Sequence, residues 1–343
     1  MYSFENDYSE GACRKVLDYL LAHNDVQTPG YGLDPYSEKA ADLIKDLIGK
    51  DADVHFITGG TPCNVLAISL LRPYEAVICV NSGHINVHET GAVEATGHKI
   101  ISVDGIDGKI APEAIEQIIL SHPDEHMVKP KMVFISDATE LGTIYHKDEL
   151  ETISAVCKKY HVYLYLDGAR LANALTAVSN DLTLQDIAQL TDIFYIGGTK
   201  NGALLGEAMV ILNDELKENF RYYMKRQGAM LAKGRIISQQ FIALLEDDTY
   251  LDNALNANEK AQYLKQVCLD HGIEMFIDSP TNQIFPILPD PLIEELKKDY
   301  RFIEWGRYDE KRSILRLVCS WATKKENVDD FIEKLNAYLK DKN

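Results

Sequence analysis

Short apolar runs alternate with amphipathic stretches along the chain up to about residue 250. The runs are short and rich in β-branched and aromatic residues, as expected for strands buried inside a sheet. They cover residues 53–57, 76–80, 99–103, 131–136, 162–166, 193–196 and 207–212. Apolar residues recur at helical spacing near residues 14–23, 37–48, 65–71 and 113–120. The pattern predicts a buried sheet flanked by helices.

The pattern changes towards the C-terminus, where helices and strands follow each other at shorter intervals. Residues 274–277 and 314–318 are the candidate strands of this part, and they predict a small α+β domain. We therefore expect a large domain at residues 31–250 and a small domain at residues 251–343. Residues 1–30 are expected to form a segment that packs with the small domain.

Two chemically reactive side chains follow neighbouring predicted strands. Asp167 follows the run at 162–166, and Lys200 follows the run at 193–196 after a pair of glycines. Ligands of open parallel sheets bind at the carboxyl ends of the strands, so both side chains can face one site. A desolvated lysine can form a Schiff base with an aldehyde, and a carboxylate can keep a pyridine nitrogen protonated. The pair indicates a pyridoxal 5′-phosphate site, whereas either residue alone would more simply be a surface lysine or a helix cap.

A glycine turn follows the predicted strand at residues 53–57 and opens a helix. Gly60 leaves space for a close approach, Thr61 offers a backbone N–H and a hydroxyl, and Pro62 suits a first helical turn. Free N–H groups and the helix dipole favour an anion at such a position. We expect Gly60 and Thr61 to bind the cofactor phosphate, although a plain strand-to-helix turn would have the same sequence.

The motifs Asp-Gly-Ala-Arg-Leu at residues 167–171 and Gly-Gly-Thr-Lys-Asn-Gly at residues 197–202 resemble those of the low-specificity L-threonine aldolases. That family belongs to the β-eliminating-lyase branch of the fold-type-I pyridoxal phosphate enzymes, and the resemblance covers most of the chain. It implies an α/β fold with a mostly parallel mixed sheet flanked by helices, plus a smaller α+β C-terminal domain. It also implies cleavage of L-threonine, L-allo-threonine or a related β-hydroxy-α-amino acid to glycine and an aldehyde.

The resemblance assigns roles to further residues of the cofactor site. His84, in a pattern like His-Ile-x-x-x-Glu, would stack on the pyridine ring and could transfer protons, as could His126 on a loop. Arg170 would bond the ring hydroxyl. Arg235, in the basic helical segment 220–240, would reach the phosphate of a neighbouring subunit. The alternatives are a His84 that only caps a helix, a solvated His126 and ordinary surface charge at Arg235.

Arg316 is the main candidate for binding the substrate, because it is a charged residue in an otherwise apolar strand. A buried arginine needs an anion, and its planar fork suits a carboxylate. The resembled family uses an arginine in this strand for the substrate α-carboxylate. Asn6, Ser9 and Tyr31 are further substrate-binding candidates. Residues 137–143 depart from the Glu-Asn-Thr-His-like stretch of better-known members, so the preferred substrate stays open.

Composition limits the other possibilities. The chain has 343 residues, 46% of them hydrophobic, and a formal net charge of −18, which argues against a nucleic-acid partner. No apolar run approaches the roughly 20 residues of a membrane helix. Six cysteines are scattered without Cys-x-x-Cys spacing, so we expect neither a metal site nor a redox motif. The N-terminal residues lack the features of a signal peptide, and we expect a cytoplasmic protein.

The expected partners are a small amino acid substrate and further copies of the chain, because the resemblance implies a homodimer or homotetramer. Other activities remain possible on the same cofactor, namely β-elimination, racemisation and transamination. They would use the same Asp167 and Lys200 and would differ in which bond of the substrate is weakened. The remaining alternative is a cofactor-binding homologue without activity, against which the presence of both residues argues.

Overall fold

The computed structural model describes residues 1–340 of the chain. Its strands are β1 (Tyr2–Ser3), β2 (Asp53–Ile57), β3 (Glu75–Val80), β4 (Lys99–Val103), β5 (Lys129–Ser136), β6 (Tyr163–Asp167), β7 (Ile193–Gly197), β8 (Glu207–Ile211), β9 (Gln283–Ile284), β10 (Ile287–Pro289), β11 (Tyr300–Arg301), β12 (Ile303–Arg307) and β13 (Arg312–Val318).

The α-helices are α1 (Arg14–Ala22), α2 (Pro35–Ile48), α3 (Gly60–Ile68), α4 (His84–Val87), α5 (Pro112–Leu120), α6 (Lys147–Tyr160), α7 (Leu171–Leu175), α8 (Leu184–Leu190), α9 (Asp214–Lys217), α10 (Phe220–Arg226), α11 (Arg235–Leu245), α12 (Thr249–Asp270), α13 (Asp290–Leu296) and α14 (Lys325–Lys340). Among residues 1–340, no helix combines the length and the apolar character needed to span a membrane.

The large sheet has the strand order β2-β8-β7-β6-β5-β3-β4. Its strands from β4 to β7 pair in parallel, whereas β8 runs antiparallel to both β7 and β2. One edge of the sheet therefore contains the carboxyl ends of β2, β3, β5, β6 and β7 together with the start of β8. At this edge Gly197 and Ile57 both pair with Glu207. The expected α/β fold with a mostly parallel mixed sheet is confirmed.

Helices cover both faces of the large sheet, so β3, β7 and β8 are buried along their whole length. One apolar layer contains Ile44 of α2, Leu150 of α6 and Phe241 of α11. The layer on the other face contains Leu66 of α3 and Phe220 of α10. Burying one such side chain stabilises the fold by about 1.5–3 kcal/mol, and many of them together fix the strand ends. The shared edge is therefore a rigid support for functional side chains.

The C-terminal residues form a smaller antiparallel sheet in the order β10-β13-β12, with β9 also paired to β13. An apolar cluster joins Leu264 of α12, Leu317 of β13 and Phe331 of α14. Phe4 packs in the same cluster, and β1 pairs in parallel with β11. The first residues of the chain are thus held against its C-terminal part.

The predicted domain limit between residues 250 and 251 falls inside α12. Tyr250 and Ala254 pack with the large sheet, whereas Leu264, further along the same helix, packs with the small one. One helix thus contributes to the cores of both sheets. The predicted domains, residues 1–30, 31–250 and 251–343, stay a prediction. Residues 341–343 of the predicted small domain lie outside the described part of the chain.

Two predicted elements differ from the structure. Residues 274–277 do not form a strand, and Met275 makes only an isolated bridge to Pro286. Two backbone hydrogen bonds flank this bridge, from the Phe276 N–H to the Phe285 carbonyl at 2.8 Å and from the Ile287 N–H to the Glu274 carbonyl at 2.9 Å, and the pairing extends no further. The segment 220–240, predicted as continuously helical, is divided into α10 and α11. Gly228 adopts a left-handed conformation, with φ of 72°, just after α10, which is a common way for a helix to end.

Candidate active site

A cavity of about 270 Å³ opens at the shared edge of the large sheet. Its wall contains six of the residues predicted for the cofactor site: Gly60, Thr61, His84, Asp167, Arg170 and Lys200. These residues are distant in the sequence and meet because the strands that precede them end at the same edge.

The glycine turn after β2 forms one end of the cavity. α3 begins at Gly60, and the first N–H groups of a helix have no acceptor within the helix. A Cβ atom on Gly60 would lie 2.9 Å from the Tyr195 hydroxyl, so a side chain here would force the two segments apart. Gly60 and Thr61 both line the cavity, and the unpaired N–H groups of a helix start suit an anion such as a phosphate.

Asp167 stands at the end of β6 and is buried, with an exposed fraction of 4%. Its Oδ1 accepts hydrogen bonds from the Tyr195 hydroxyl at 2.5 Å and the Ala169 N–H at 3.0 Å. Its Oδ2 accepts one from Asn64 Nδ2 at 3.1 Å. These donors fix the carboxylate in one orientation at the cavity wall, so it can serve as a fixed partner for a cationic ring nitrogen.

Lys200 lies on the turn that follows β7, and its amine enters the cavity. Desolvation, followed by the nearby charge of Arg170, lowers the pKa of Lys200 below the ordinary lysine value. Glu207, at the start of β8, accepts a hydrogen bond from the Gly198 N–H at 2.7 Å and so holds this turn. Burial raises the pKa of Glu207. A lysine whose neutral form is favoured in this way is suited to covalent chemistry with a carbonyl.

His84 begins α4, directly after β3 and its turn. Its Nδ1 lies 2.8 Å from Glu89 Oε1, and the same oxygen accepts a hydrogen bond from Asn64 Nδ2 at 2.7 Å. A carboxylate at Nδ1 favours the tautomer with the proton on that nitrogen and leaves Nε2 free. Because Asn64 also donates to Asp167, one chain of hydrogen bonds joins the orientation of His84 to that of Asp167.

Arg170 forms a bidentate ion pair with Asp7, with Nε–Oδ2 at 2.7 Å and Nη2–Oδ1 at 3.0 Å. Burial by itself would raise the pKa of Asp7, but the charges of Arg170 and then Lys200 outweigh it and lower that pKa to about 2. The pair joins the N-terminal segment to the cavity wall. Two of the donor groups of Arg170 are therefore used within the protein, whereas the sequence predicted that this residue bonds the cofactor ring hydroxyl.

Arg316, on β13, is half-buried and is not part of the wall of this cavity, although the nearby Arg170 is. Desolvation lowers the pKa of Arg316 to about 10, and the charge of Arg170 acts in the same direction. Its Nε and Nη2 donate to Gln283 Oε1 at 2.9 and 2.5 Å. Among residues 1–340, no carboxylate forms an ion pair with this guanidinium, although charged arginines are rarely buried without one. The remaining donors on Nη1 and Nη2 can bind an external carboxylate in a bidentate manner.

Comparison with known proteins identifies the family. A family model described as beta-eliminating lyase matches residues 7–288. This chain belongs to the beta-eliminating lyase family. The low-specificity L-threonine aldolase of Pseudomonas sp. (strain NCIMB 10558) is 34% identical, over 98% of this chain and 97% of its own length. The low-specificity L-threonine aldolase of Escherichia coli (strain K12) is 25% identical, over 74% of this chain and 77% of its own. The family resemblance noted in the motifs is confirmed.

Solved structures of beta-eliminating lyases and related enzymes have the same fold. The Leishmania major threonine aldolase matches with a TM-score of 0.97 and 48% identity, over 99% of this chain and 100% of its own. Cystalysin from Treponema denticola, whose structure contains pyridoxal 5′-phosphate, matches with a TM-score of 0.73 and 18% identity, over 98% of this chain and 90% of its own. At that identity the second likeness shows the fold alone.

The cavity of this family member fits pyridoxal 5′-phosphate. Lys200 would hold its aldehyde carbon, and Asp167 its ring nitrogen. The N–H groups at Gly60 and Thr61 would hold its phosphate, and the His84 ring would lie against its pyridine ring. The fit rests on the desolvated amine, the fixed carboxylate and the helix start that packing keeps free of a side chain. These assignments of individual residues stay predictions.

His126, Arg235 and Tyr31 lie away from this cavity and contact other parts of the chain. His126 is exposed over 85% of its side chain and contacts Asp124 at 3.2 Å. Arg235 donates to the carbonyl groups of Asn24 and Val26. Tyr31 lines a separate groove of about 450 Å³. The positions of a loop residue or a helix surface relative to the site depend on tertiary packing, which their local sequence does not encode.

Asn6 and Ser9 act on the site through a neighbour. Asn6 Oδ1 accepts hydrogen bonds from the Tyr8 N–H at 2.9 Å and the Ser9 hydroxyl at 3.0 Å. The resulting turn places Tyr8 in the cavity wall, with its ring centroid 6.0 Å from Lys200 Nζ. Tyr8 was not among the predicted site residues, and the substrate-binding roles of Asn6 and Ser9 stay predictions.

Several buried polar residues in or behind the cavity wall were also missed. Asn64, Glu140, Tyr195 and Glu207 line the cavity, and Glu89 contacts His84 and Asn64 behind it. Two of them had a visible signal. Glu207 is the first residue of an apolar run. A charged residue is unusual in a buried strand, as it is at Arg316. Glu89 is the glutamate of the His-Ile-x-x-x-Glu pattern that suggested His84. Asn64 and Tyr195 carry no such signal, because amides and tyrosines are common at helix starts and in strands.

Proposed function

We propose that this protein is a pyridoxal-phosphate-dependent aldolase. It cleaves L-threonine, L-allo-threonine or a related β-hydroxy-α-amino acid to glycine and an aldehyde. The observation that carries the proposal is that Lys200 and Asp167 face one cavity from the ends of adjacent parallel strands. The names of the relatives select the aldolase reaction from among those that such a site could support.

The bound cofactor supplies an electron sink for a carbanion at the substrate Cα atom. The residues of the chain decide which bond is broken. Arg316 binds the substrate α-carboxylate through its free donors, and this contact sets the rotation about the Cα–N bond. When the Cα–Cβ bond is perpendicular to the ring plane, loss of the β-hydroxyl proton releases an aldehyde, and a proton then returns to Cα. Lys200, with its lowered pKa, is suited to move protons at Cα.

The proposal extends to assembly and location. The resemblance to threonine aldolases supports a homodimer or homotetramer in which a second subunit completes the site, and the position of Arg235 outside its own cavity agrees with such a role. All six cysteines are unpaired and buried, which supports a reducing compartment, the cytoplasm. The substrate is a small amino acid.

The test is to incubate the purified protein with L-threonine, L-allo-threonine, phenylserine and serine, and to measure aldehyde, pyruvate and keto acid. Aldehyde together with glycine supports the aldolase. Pyruvate from serine without aldehyde from threonine would instead assign a β-elimination, and a keto acid a transamination. Absence of all products from a cofactor-loaded protein would leave the non-catalytic homologue as the better description.

Lys200→Ala tests the cofactor anchor in the same assay. This variant should lose the visible absorption of the lysine-bound cofactor and its turnover, while the cavity can still hold the phosphate. An exposed lysine, Lys311, provides the matched control as Lys311→Ala. If Lys200→Ala kept both absorption and turnover, the anchor would lie elsewhere.

A further inference from the structure

Glu140 is a cavity residue to which neither the sequence motifs nor the proposed mechanism gives a role. It lies on the turn after β5, in the stretch 137–143 that departs from the better-known aldolases. The side chain is buried, with an exposed fraction of 8%, and it forms part of the cavity wall beside His84 and Asp167. A carboxylate at this depth costs free energy, so its presence requires a reason.

The two oxygens of Glu140 have different surroundings. Oε1 accepts hydrogen bonds from the His84 N–H at 2.9 Å and from the Ser136 hydroxyl at 2.8 Å, so the side chain is held in one position. Oε2 is buried and has no hydrogen-bond partner among residues 1–340. An unpartnered buried acceptor is typically unfavourable, because it loses its hydrogen bonds to water and gains none in the protein. The side chain is thus fixed by one oxygen, while the other lacks a partner in a residue that forms part of the cavity wall.

Glu140 lies within electrostatic range of two arginines at or near the cavity. Burial raises its pKa, and the carboxylate of Asp167 acts in the same direction. The cationic groups that interact with it are Arg170, at the start of α7, and Arg316, on β13. Cys79, on β3, lies close enough for its pKa to be affected. A substrate held by Arg316 would therefore lie within the electrostatic reach of Glu140.

The other candidates for a base are less well placed. His126 is exposed and lies outside the cavity. His84 has a free Nε2 beside its Nδ1–Glu89 contact, but its ring is the one expected to lie against the cofactor. A carboxylate with a raised pKa is a stronger base than an ordinary glutamate. It can accept the proton of the substrate hydroxyl, which becomes more acidic as the aldehyde carbonyl forms. Glu140 combines this property with a fixed orientation and a free oxygen.

Resting on the proposed aldolase function, we propose that Glu140 is a catalytic residue whose Oε2 accepts the proton of the substrate β-hydroxyl. The O–H electron pair forms the aldehyde C=O bond, and the electron pair of the Cα–Cβ bond remains on Cα. Cα later takes up one proton, and Glu140 returns its proton to the product or to solvent. The balance of atoms and charge requires no further reactant.

The variant Glu140→Gln tests this role, because glutamine keeps the acceptor for His84 and Ser136 and has nearly the same shape. Removal of a general base should lower aldehyde release from L-threonine by about a hundredfold or more. Exchange of the glycine Cα proton with deuterium needs no β-hydroxyl base, so it should stay near the wild-type rate. The dissociation constant of L-threonine, measured from the change in cofactor absorption, should also stay near the wild-type value. The control is Glu151→Gln, at an exposed carboxylate on α6.

Three results would overturn the inference. Aldehyde release at the wild-type rate in Glu140→Gln would exclude the base role. Joint loss of cleavage, glycine exchange and threonine binding in that variant would make Glu140 a residue that only positions His84. In wild type alone, the ratio of cleavage to exchange should rise with pH above the ordinary range of glutamate pKa values, and a flat ratio would contradict the proposal. A wild-type protein that exchanges glycine but releases no aldehyde would instead refute the proposed function itself.

Discussion

Arg316 offers a test of how the site selects the bond that is cleaved. Its Nε and Nη2 are held by one oxygen of Gln283, which leaves a pair of donors on Nη1 and Nη2 for a carboxylate. In Arg316→Lys the charge is kept but the planar fork is lost, since lysine has all its donors on one atom. The ammonium can reach Gln283 or the substrate carboxylate, but it cannot make two parallel bonds to the carboxylate.

The size of the effect follows from the hydrogen bonds that the substitution removes. One hydrogen bond to a charged group contributes about 1.5–3 kcal/mol, so removing one of the two bonds should weaken substrate binding by about ten- to 150-fold. The desolvation that lowers the pKa of Arg316 to about 10 also acts on a lysine, and it reduces the benefit of the retained charge. A substrate held by a single hydrogen bond rotates more freely about Cα–N, so other bonds at Cα become aligned for cleavage.

The assay measures acetaldehyde release from L-threonine beside deuterium exchange at the glycine Cα atom. We expect Arg316→Lys to lose more of the cleavage than of the exchange. Arg312→Lys is the matched control, because Arg312 is exposed on the same strand and pairs with Asp309 and Glu274. Its two rates should stay near those of the wild type.

Two outcomes of this assay would refute the reasoning. Equal loss of cleavage and exchange in Arg316→Lys would mean that the residue binds the carboxylate without selecting the bond. No loss of either rate would mean that another residue holds the carboxylate, and the assignment of the unpaired guanidinium to the substrate would be wrong.

Three further predictions concern the cofactor, stability and assembly. Asp167→Asn should fold but lose most of its turnover, because a neutral amide cannot keep the ring nitrogen protonated, and near-wild-type turnover would contradict this role. Burial raises the pKa of Asp137 to about 8 in the folded protein, above its value of about 4 in the unfolded chain. The stability that the protonated Asp137 contributes is therefore complete below a pH of about 4 and is lost as the pH rises through about 8. Asp137→Asn keeps an acceptor for the Tyr145 N–H but cannot ionise. The free energy of unfolding, measured in urea, should therefore fall less steeply with pH across this range in the variant than in the wild type. An unchanged dependence on pH would refute the assignment. Sedimentation should show a dimer or tetramer, and Arg235→Ala should weaken cofactor binding only if a second subunit completes the site; an active monomer would exclude this arrangement.

The sequence determined the strands of the large sheet, because residues buried on both faces must be apolar along the whole strand, and this leaves a continuous pattern. It also determined that Asp167, Lys200 and the Gly60 turn would meet, since parallel strands end at one edge. Arg316 could be predicted for a related reason, because a charge in an apolar strand is costly unless an anion compensates it.

Only the tertiary structure decided which polar groups surround these residues. Tyr195 reaches Asp167, and Glu140 reaches His84, across strands and turns whose spacing depends on the packing of the whole sheet. The same packing leaves His126 at the surface and limits the predicted strand at residues 274–277 to a single bridge. The local sequence pattern indicates which residues can be buried and where strands end. The distances between side chains on different elements depend on how the apolar layers pack, and no single stretch of sequence contains that information.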